Sequence, residues 1–405
     1  MKSGLPKVMH QVCGRPMLSY VLDLAKGLGI ENSLVVTGHK RELLKDLLAQ
    51  YQAKEVYQDK RLGTADAIKR CQPVLRFFSG NIIVLYGDQP LLKKETLQEL
   101  IQRHIKTKAC ATILSAYPNN PFGYGRIIRD NYSRITAIVE EKDASPREKE
   151  IGEINTGIIC FKKDSLFKII PRIKSDNAKK EYYLTDAIKI MAQNGAVIES
   201  VSISQDVQEA QGINSRIDLA QAIKAMRLRI LEKFMLEGVT IVDPDTTYIE
   251  EGVRIGRDTV IYPFTFIERD VIISNFCQIG PFCHLRPETV IEDKVTVGNF
   301  TEITRSRLGR DSFMKHFSYL GDTIVGKAVN IGCGTVVANF DGRNKNQTII
   351  EDQAFIGSDT VLRAPVRIGK KAVTGAGSVV IKDVAAGTVV AGVPARPLNS
   401  SRGDK

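Results

Sequence analysis

The chain of 405 residues has no tryptophan, only five histidines and no apolar run long enough to cross a membrane. A transmembrane helix needs about 20 consecutive apolar residues, so none is expected. The opening MKSGLPKVMHQ has no apolar core and does not read as a secretory signal. The seven cysteines, at 13, 71, 110, 160, 277, 283 and 333, are odd in number and contain no C-x-x-C. That spacing disfavours a disulfide framework or a zinc site and predicts a reducing, cytoplasmic setting. No basic run is interleaved with aromatics, so neither a nucleic acid nor a membrane is expected as a partner. What is present is ordinary: 43% apolar and 25% charged residues, suited to two or three globular domains. The net charge of +11 fits anionic ligands and equally a solvated basic surface.

Residues 1–212 alternate short β-rich runs with helical stretches. Leu34–Thr37 and Ile82–Tyr86 read as buried strands, each followed by polar or glycine residues and then a helical pattern. This order predicts an α/β domain with a largely parallel sheet and a site at the carboxyl ends of its strands. Residues 213–238 read as a connecting helix. Ser215 caps it with Asp218 three residues on, Leu219, Ile223, Met226, Ile230 and Phe234 recur at helical spacing, and Gly238 ends it.

The second half, 239–390, has a period of six. Steps of six from Ile249 meet Ile255, Ile261, Ile267, Ile273, Ile279, Leu285, Ile291, Val297 and Ile303, all aliphatic. Four places after each stands a compact residue, such as Val253, Thr259, Cys277 or Thr289. The register slips, resumes at Val325, Ile331 and Val337, and returns at Ile350, Ile356, Leu362, Ile368, Thr374 and Val380. Period six is the hexapeptide repeat of a parallel β-helix, with the aliphatic side chains stacked inward. Glycine after the aliphatic residue, as at 256, 280, 357 and 369, is expected to allow the corner conformation. A repeat proves a shape and not a chemistry, so a pure scaffold remains open. Residues 391–405 read as a C-terminal tail.

Two disturbances of the repeat are candidates for function. The polar stretch Ala338 to Thr348 must leave the coil, and extruded loops on solenoids commonly bind ligands. His316 lies where the register slips, and a base working near neutral pH suits acyl transfer to an amine or hydroxyl. In the first half, Asp88 follows an apolar strand, where a carboxylate can hold a hard cation; a turn residue before Gln89-Pro90 explains it equally.

These residues carry a family resemblance. Leu285-Arg286-Pro287, Val297-Gly298-Asn299-Phe300, His316 through Asp322, Asn330-Ile331-Gly332, Asn339-Phe340-Asp341-Gly342 and Ile356-Gly357-Ser358 form one ordered series. Leu5-Pro6-Lys7, Gln58 with Gly63-Thr64, Tyr86-Gly87-Asp88, Gly123 to Arg126, Glu140, Asn155, Glu181 to Asp186 and Asn214 form another. Together they resemble the bacterial bifunctional enzymes that are both glucosamine-1-phosphate N-acetyltransferase and N-acetylglucosamine-1-phosphate uridyltransferase. The resemblance implies a Rossmann-like nucleotidyltransferase domain followed by a left-handed parallel β-helix that forms a homotrimer. It implies Lys7, Gln58, Gly63 and Thr64 at the nucleotide, and Tyr86, Gly125, Glu140, Asn155 and Thr185 at the amino sugar of the uridyl site. Asp88 and Asn214 would hold Mg²⁺. In the second half His316 would be the catalytic base. Arg286, Tyr319 and Asn330 would bind the sugar phosphate, and Cys333, Asn339, Phe340, Ser358 and Ala376 would line the acetyl-CoA side. UTP, acetyl-CoA and glucosamine-1-phosphate are the implied substrates.

Two departures stand out. The family begins with an apolar strand and a G-x-G-T-R-M loop that cradles phosphates, and Met1-Lys2-Ser3 matches only the end of that loop. A start assigned too late is the expected cause, and weak uridyl transfer the expected effect. Thr304 stands where the family has a lysine that helps bind the sugar phosphate. Arg305 follows it, and neighbours on a strand are expected to point opposite ways. The alternatives are a related sugar-1-phosphate nucleotidyltransferase that acetylates another amino sugar or a hydroxyl, and a β-helix that only assembles the protein.

Overall fold

The computed structural model describes residues 1–203 and 206–398, so the end of the tail expected from 391 lies outside the described residues. Two compact units divide the chain, Met1–Ile223 and Lys224–Lys405. The boundary falls within the helix Arg216–Leu236. At its start Asp218 accepts from the Ser215 amide (2.7 Å), and the Asp218 amide donates to Ser215 Oγ (3.1 Å). Gly238, with φ +92°, follows the helix in the left-handed conformation that ends it.

The first unit is built on a mixed six-stranded sheet. Ile198–Ile203 runs parallel to Ala111–Ala116; every other pairing is antiparallel. The largely parallel sheet expected from element order is therefore corrected. Alternation along the chain reports which elements occur, not which edges pair. The organiser is Ile154–Lys162, almost wholly buried, which pairs with Asn81–Val84 and Ala111–Ala116 and, at its start, with Gly125–Arg129. Gly157, at φ +89°, lets this strand change neighbours midway.

Leu34–Thr37 lies outside that sheet and pairs only with Lys54–Tyr57, in parallel. Among the described residues, neither it nor Asn81–Val84 has a ladder on its second edge. Between these strands lies an apolar groove of about 770 Å³, lined by Leu22, Val35, Val36, Ile83, Val84 and Leu85 among others. The strand that the resemblance leads one to expect at the start of the domain has no counterpart among the described residues.

The second unit is the parallel β-helix. Its strands distribute over three sheets of ten, eight and seven members, each strand pairing in parallel with the third one along until the end of the largest sheet, where Val373–Thr374 pairs with Val389–Ala391, two along, and that strand pairs antiparallel with Arg396–Pro397. The aliphatic column points inward: Ile261, Ile267, Ile279, Leu285, Ile291, Val297 and Ile303 are fully buried. The slip consists of two five-residue steps, Ile303 to Leu308 and Leu320 to Val325. Between them Leu308, Met314 and Leu320, all fully buried, keep the period of six.

The corner expectation is partly corrected. Left-handed φ recurs every six residues at Asp258, Phe264, Asp270, Phe276, Phe282, Glu288, Lys294 and Phe300, none of them glycine. Of the four glycines singled out, only Gly280 shares that conformation. Gly256 is needed for a different reason: a Cβ there would stand 2.7 Å from the Ser274 carbonyl carbon of the next coil. Coils stack at about 4.8 Å, and a side chain has no room where two backbones pass.

Candidate functional sites

In the first unit, residues far apart in sequence meet at the end of Asn81–Val84. Lys7 Nζ forms an ion pair with Asp88 and donates to Asn214 Oδ1 at 2.8 Å. The Asp88 carbonyl accepts from the Ile213 amide (3.0 Å), which ties the two acceptor segments together. Gln89, for which the sequence predicts no role, fixes the turn: its buried Nε2 donates to the carbonyls of Thr156 (2.9 Å) and Ala210 (2.7 Å). Asp88 is thus held by tertiary contacts, and its neighbour is a tether rather than a solvated turn residue. No group of three or more metal-ligating side chains gathers among the described residues. A carboxylate and an amide oxygen that already share one cationic group nonetheless suit a hard cation that takes its remaining ligands from phosphate and water.

The residues expected at the nucleotide base form a second cluster. Gln58 Nε2 donates to the Gly63 carbonyl (3.1 Å) and to Asp66 (2.9 Å), and Thr64 Oγ1 accepts from the Leu184 amide (3.0 Å). Gly63 has φ +115°, and a Cβ on it would stand 2.4 Å from the Tyr182 carbonyl oxygen. Glycine at 63 is therefore required by the close passage of the Tyr182 backbone.

The expected sugar-binding residues also converge. Gly125 and Asn155 are paired across adjacent strands. Thr185 Oγ1 donates to Glu140 at 3.0 Å, and Asn155 Oδ1 accepts from the Gly157 amide. The Tyr86 ring lies against Gly157, where a Cβ would stand 2.7 Å from it. Burial, with the negative charges of Glu140 and Asp88 nearby, pushes the Tyr86 phenol up to about 12, so it remains a hydrogen-bond donor at neutral pH. Arg126, only 2% exposed, pairs with Glu141 at 2.8 Å and anchors the chain beside Glu140. Arg126 closes the Gly123 to Arg126 motif with no role expected from the sequence; an arginine inside an apolar strand is the signal that marks it.

In the second unit, strand register turns a scattered list into a column. Met314 pairs with Ile331, Ile331 with Ile356, and Ile356 with Thr374. Two residues beyond each stand His316, Cys333, Ser358 and Ala376, on one corner of successive coils. Backbone bonds join that corner from coil to coil: Gly334 to Phe317 (2.8 Å), Asp359 to Cys333 (2.6 Å) and Gly377 to Ser358 (2.8 Å). His316 is exposed. Three coil steps separate it from Ala376, roughly 14 Å, so only an extended ligand reaches both. Asn330 is on the strand just before this corner, one coil beyond Phe313.

The next face carries the polar partners. Tyr319 is paired with Glu302, and Arg286 Nη1 donates to Glu302 at 2.8 Å. At its far corner Arg305 makes two bonds to Asp322 (2.6 and 2.9 Å), and Asn339 Nδ2 donates to Asp322 at 2.5 Å. These contacts hold the Asp322 carboxyl below its usual range. Phe340 is exposed on the extruded loop, where Asp341 accepts from the amides of Arg343 (2.8 Å) and Asn344 (2.7 Å).

The opposed directions expected for Thr304 and Arg305 are corrected. Arg305 has φ +45° at the shortened corner, so strand alternation has ended and its Nη1 donates to Thr304 Oγ1 at 3.1 Å. Two glycines that had no assigned role also matter. A Cβ on Gly298 would stand 1.9 Å from the Lys315 carbonyl oxygen. One on Gly321 would stand 2.5 Å from Asn339 Nδ2 and 2.6 Å from the Tyr319 hydroxyl.

Comparison with known proteins agrees with this division. The nucleotidyl transferase family matches residues 2–211, and the bacterial transferase hexapeptide family (six repeats) matches residues 270–305. The bifunctional protein GlmU of Carboxydothermus hydrogenoformans is 44% identical over 95% of this chain and 93% of its own length. Those of a Geobacillus species and of Thermosipho africanus are 44% and 42% identical over 95% of this chain and 90% of theirs. With a nucleotidyltransferase unit, a hexapeptide β-helix and this identity across both, the chain belongs to the GlmU family of bifunctional proteins.

Proposed function

We propose that the chain carries out two successive transfers in the synthesis of UDP-N-acetylglucosamine. The β-helix moves acetyl from acetyl-CoA to the amine of glucosamine-1-phosphate, and the first unit joins the product to the uridyl group of UTP with release of pyrophosphate. The observation that carries this reading is the meeting of Lys7, Asp88 and Asn214 across 207 positions of sequence, within one unit that also gathers Gln58, Gly63 and Thr64.

In the acetyl site His316 takes a proton from the sugar amine. The amine nitrogen then forms a bond to the thioester carbonyl carbon, the C–S bond breaks, and coenzyme A leaves as the thiol once protonated. Arg286, Tyr319 and Asn330 hold the sugar phosphate. The corner column of Cys333, Ser358 and Ala376, with Asn339 and Phe340, takes the extended coenzyme. In the uridyl site catalysis is positioning and charge neutralisation. Gln58, Gly63 and Thr64 hold the nucleotide, Lys7 its phosphates, and Tyr86, Gly125, Glu140, Asn155 and Thr185 the amino sugar. Mg²⁺ held by Asp88 and Asn214 would withdraw charge from the reacting phosphates.

The working form is a homotrimer, which the exposed stack of Phe264, Phe282 and Phe300 supports: the rings lie 4.8 and 5.1 Å apart on one corner. The cytoplasm is its setting, consistent with seven free thiols. The test follows thiol and pyrophosphate release separately, with glucosamine-1-phosphate, acetyl-CoA, UTP and Mg²⁺. His316→Ala should remove thiol release at least a hundredfold and leave the fold intact. Unchanged thiol release would remove His316 from the mechanism. Thiol release only with another amino sugar or a hydroxyl acceptor would reassign the acceptor.

A further inference from the structure

We propose that Lys7 is an internal counter-cation for Asp88 and Asn214, and that its ammonium and a divalent cation occupy that pair of oxygens in turn. The inference rests on the reading of Asp88 and Asn214 as metal ligands. Lys7 Nζ bonds to the same two side-chain oxygens that a hard cation would take.

The two acceptors are tethered by further contacts, whereas the ammonium sits at the end of a long, partly exposed side chain. Asp88 is bound through its carbonyl to Ile213, and the adjoining Gln89 is tethered twice. The Asn214 amide donates to Asp218 at 2.8 Å. Lys7 lies on a single turn, Lys7–Met9, that has no buried residue, and its side chain is 38% exposed. A four-carbon stem can swing where the acceptors cannot.

Charge decides the consequence. The neighbouring carboxylate Asp218 is taken up by the amides of Asn214 and Ser215. With Lys7 in place the Asp88–Asn214 pair is neutral overall, and an arriving dication meets an ammonium at contact distance. Entry is favourable once that ammonium moves to another anion. A phosphate-bearing ligand supplies one, so Lys7 couples metal entry to the arrival of phosphate. Binding of either then favours the other, as reciprocal linkage requires.

The test is Mn²⁺ binding, followed by electron paramagnetic resonance, to the full chain without nucleotide. Lys7→Met should bind Mn²⁺ at least tenfold more tightly than the unaltered chain, and Asp88→Asn should abolish that binding in either background. If Asp88→Asn abolishes binding but Lys7→Met binds no more tightly, the exchange is wrong and the metal ligands stand. If Asp88→Asn leaves Mn²⁺ binding unchanged, the metal reading itself fails. A second measurement needs no variant. Acylation of Lys7, read by mass spectrometry, should rise severalfold with saturating Mg²⁺; unchanged protection would overturn the exchange.

Discussion

Gly298→Ala offers the sharpest separation of shape from chemistry in the β-helix. The added methyl would stand 1.9 Å from the Lys315 carbonyl oxygen and 2.7 Å from the Lys315 Cα. A carbon and a carbonyl oxygen in contact need about 3.3 Å, so that carbonyl must retreat by about 1.4 Å. Both obstructing atoms are backbone, and the Gly298 amide also donates to the Met314 carbonyl (2.8 Å), so no rotamer change relieves the clash. The corner that moves is the one bearing His316. Overpacking of this kind costs about 1–3 kcal/mol, a loss a long solenoid core can absorb. A displacement of about 1 Å at a reacting group costs about a hundredfold in rate. Gly298→Ala should therefore fold, melt a few degrees lower and release thiol about a hundredfold more slowly in kcat, with UTP binding to the first unit unchanged. Thermal denaturation, the thiol assay and UTP titration read the three quantities. A folded variant with full thiol release would refute the assignment of the Lys315–Phe317 corner to the acetyl site.

Two further outcomes are expected. Gly63→Ala must accept φ +115° and a contact of 2.4 Å with the Tyr182 backbone, so the segment beside Thr64 shifts; UTP binding by calorimetry should weaken at least tenfold while thiol release is unaffected. Stability of the first unit should fall as pH drops below about 6.5. His104 is 2% exposed, bonds Thr112 through Nδ1 (2.9 Å), and burial lowers its pKa. A base depressed in the fold is neutral there and protonated in the unfolded chain below its ordinary pKa, so this contribution is full above 6.5 and lost as pH falls through that value. The slope is up to about 1.4 kcal/mol per pH unit. Chemical denaturation of His104→Leu between pH 7.5 and 5.5 should show a shallower loss; an identical slope would mean His104 is not the group responsible.

The architecture of the second unit was legible because period six states which side chains face inward, and burial of Ile261 through Ile303 follows directly. The helix Arg216–Leu236 was legible for the same kind of reason, with a local cap and a left-handed glycine marking its ends. The candidate residues of both sites came from the resemblance that their ordered motifs carry. Sheet pairing was not, because the hydrogen-bond edges of Leu34–Thr37 and Asn81–Val84 are chosen by long-range packing and leave no local pattern. Stacking was not legible either. That Arg305 turns beside Thr304 and grips Asp322 depends on a corner shortened by one residue. That Gly298 underlies the His316 corner depends on where the next coil passes. Periodicity and local capping are properties of residues near one another in sequence, so the amino-acid order alone determined the repeat, the helix and the cast of candidate residues. Contacts between Lys7 and Asn214, or along the column from His316 to Ala376, exist only once distant backbone is brought within a few ångströms, and tertiary structure alone decided them.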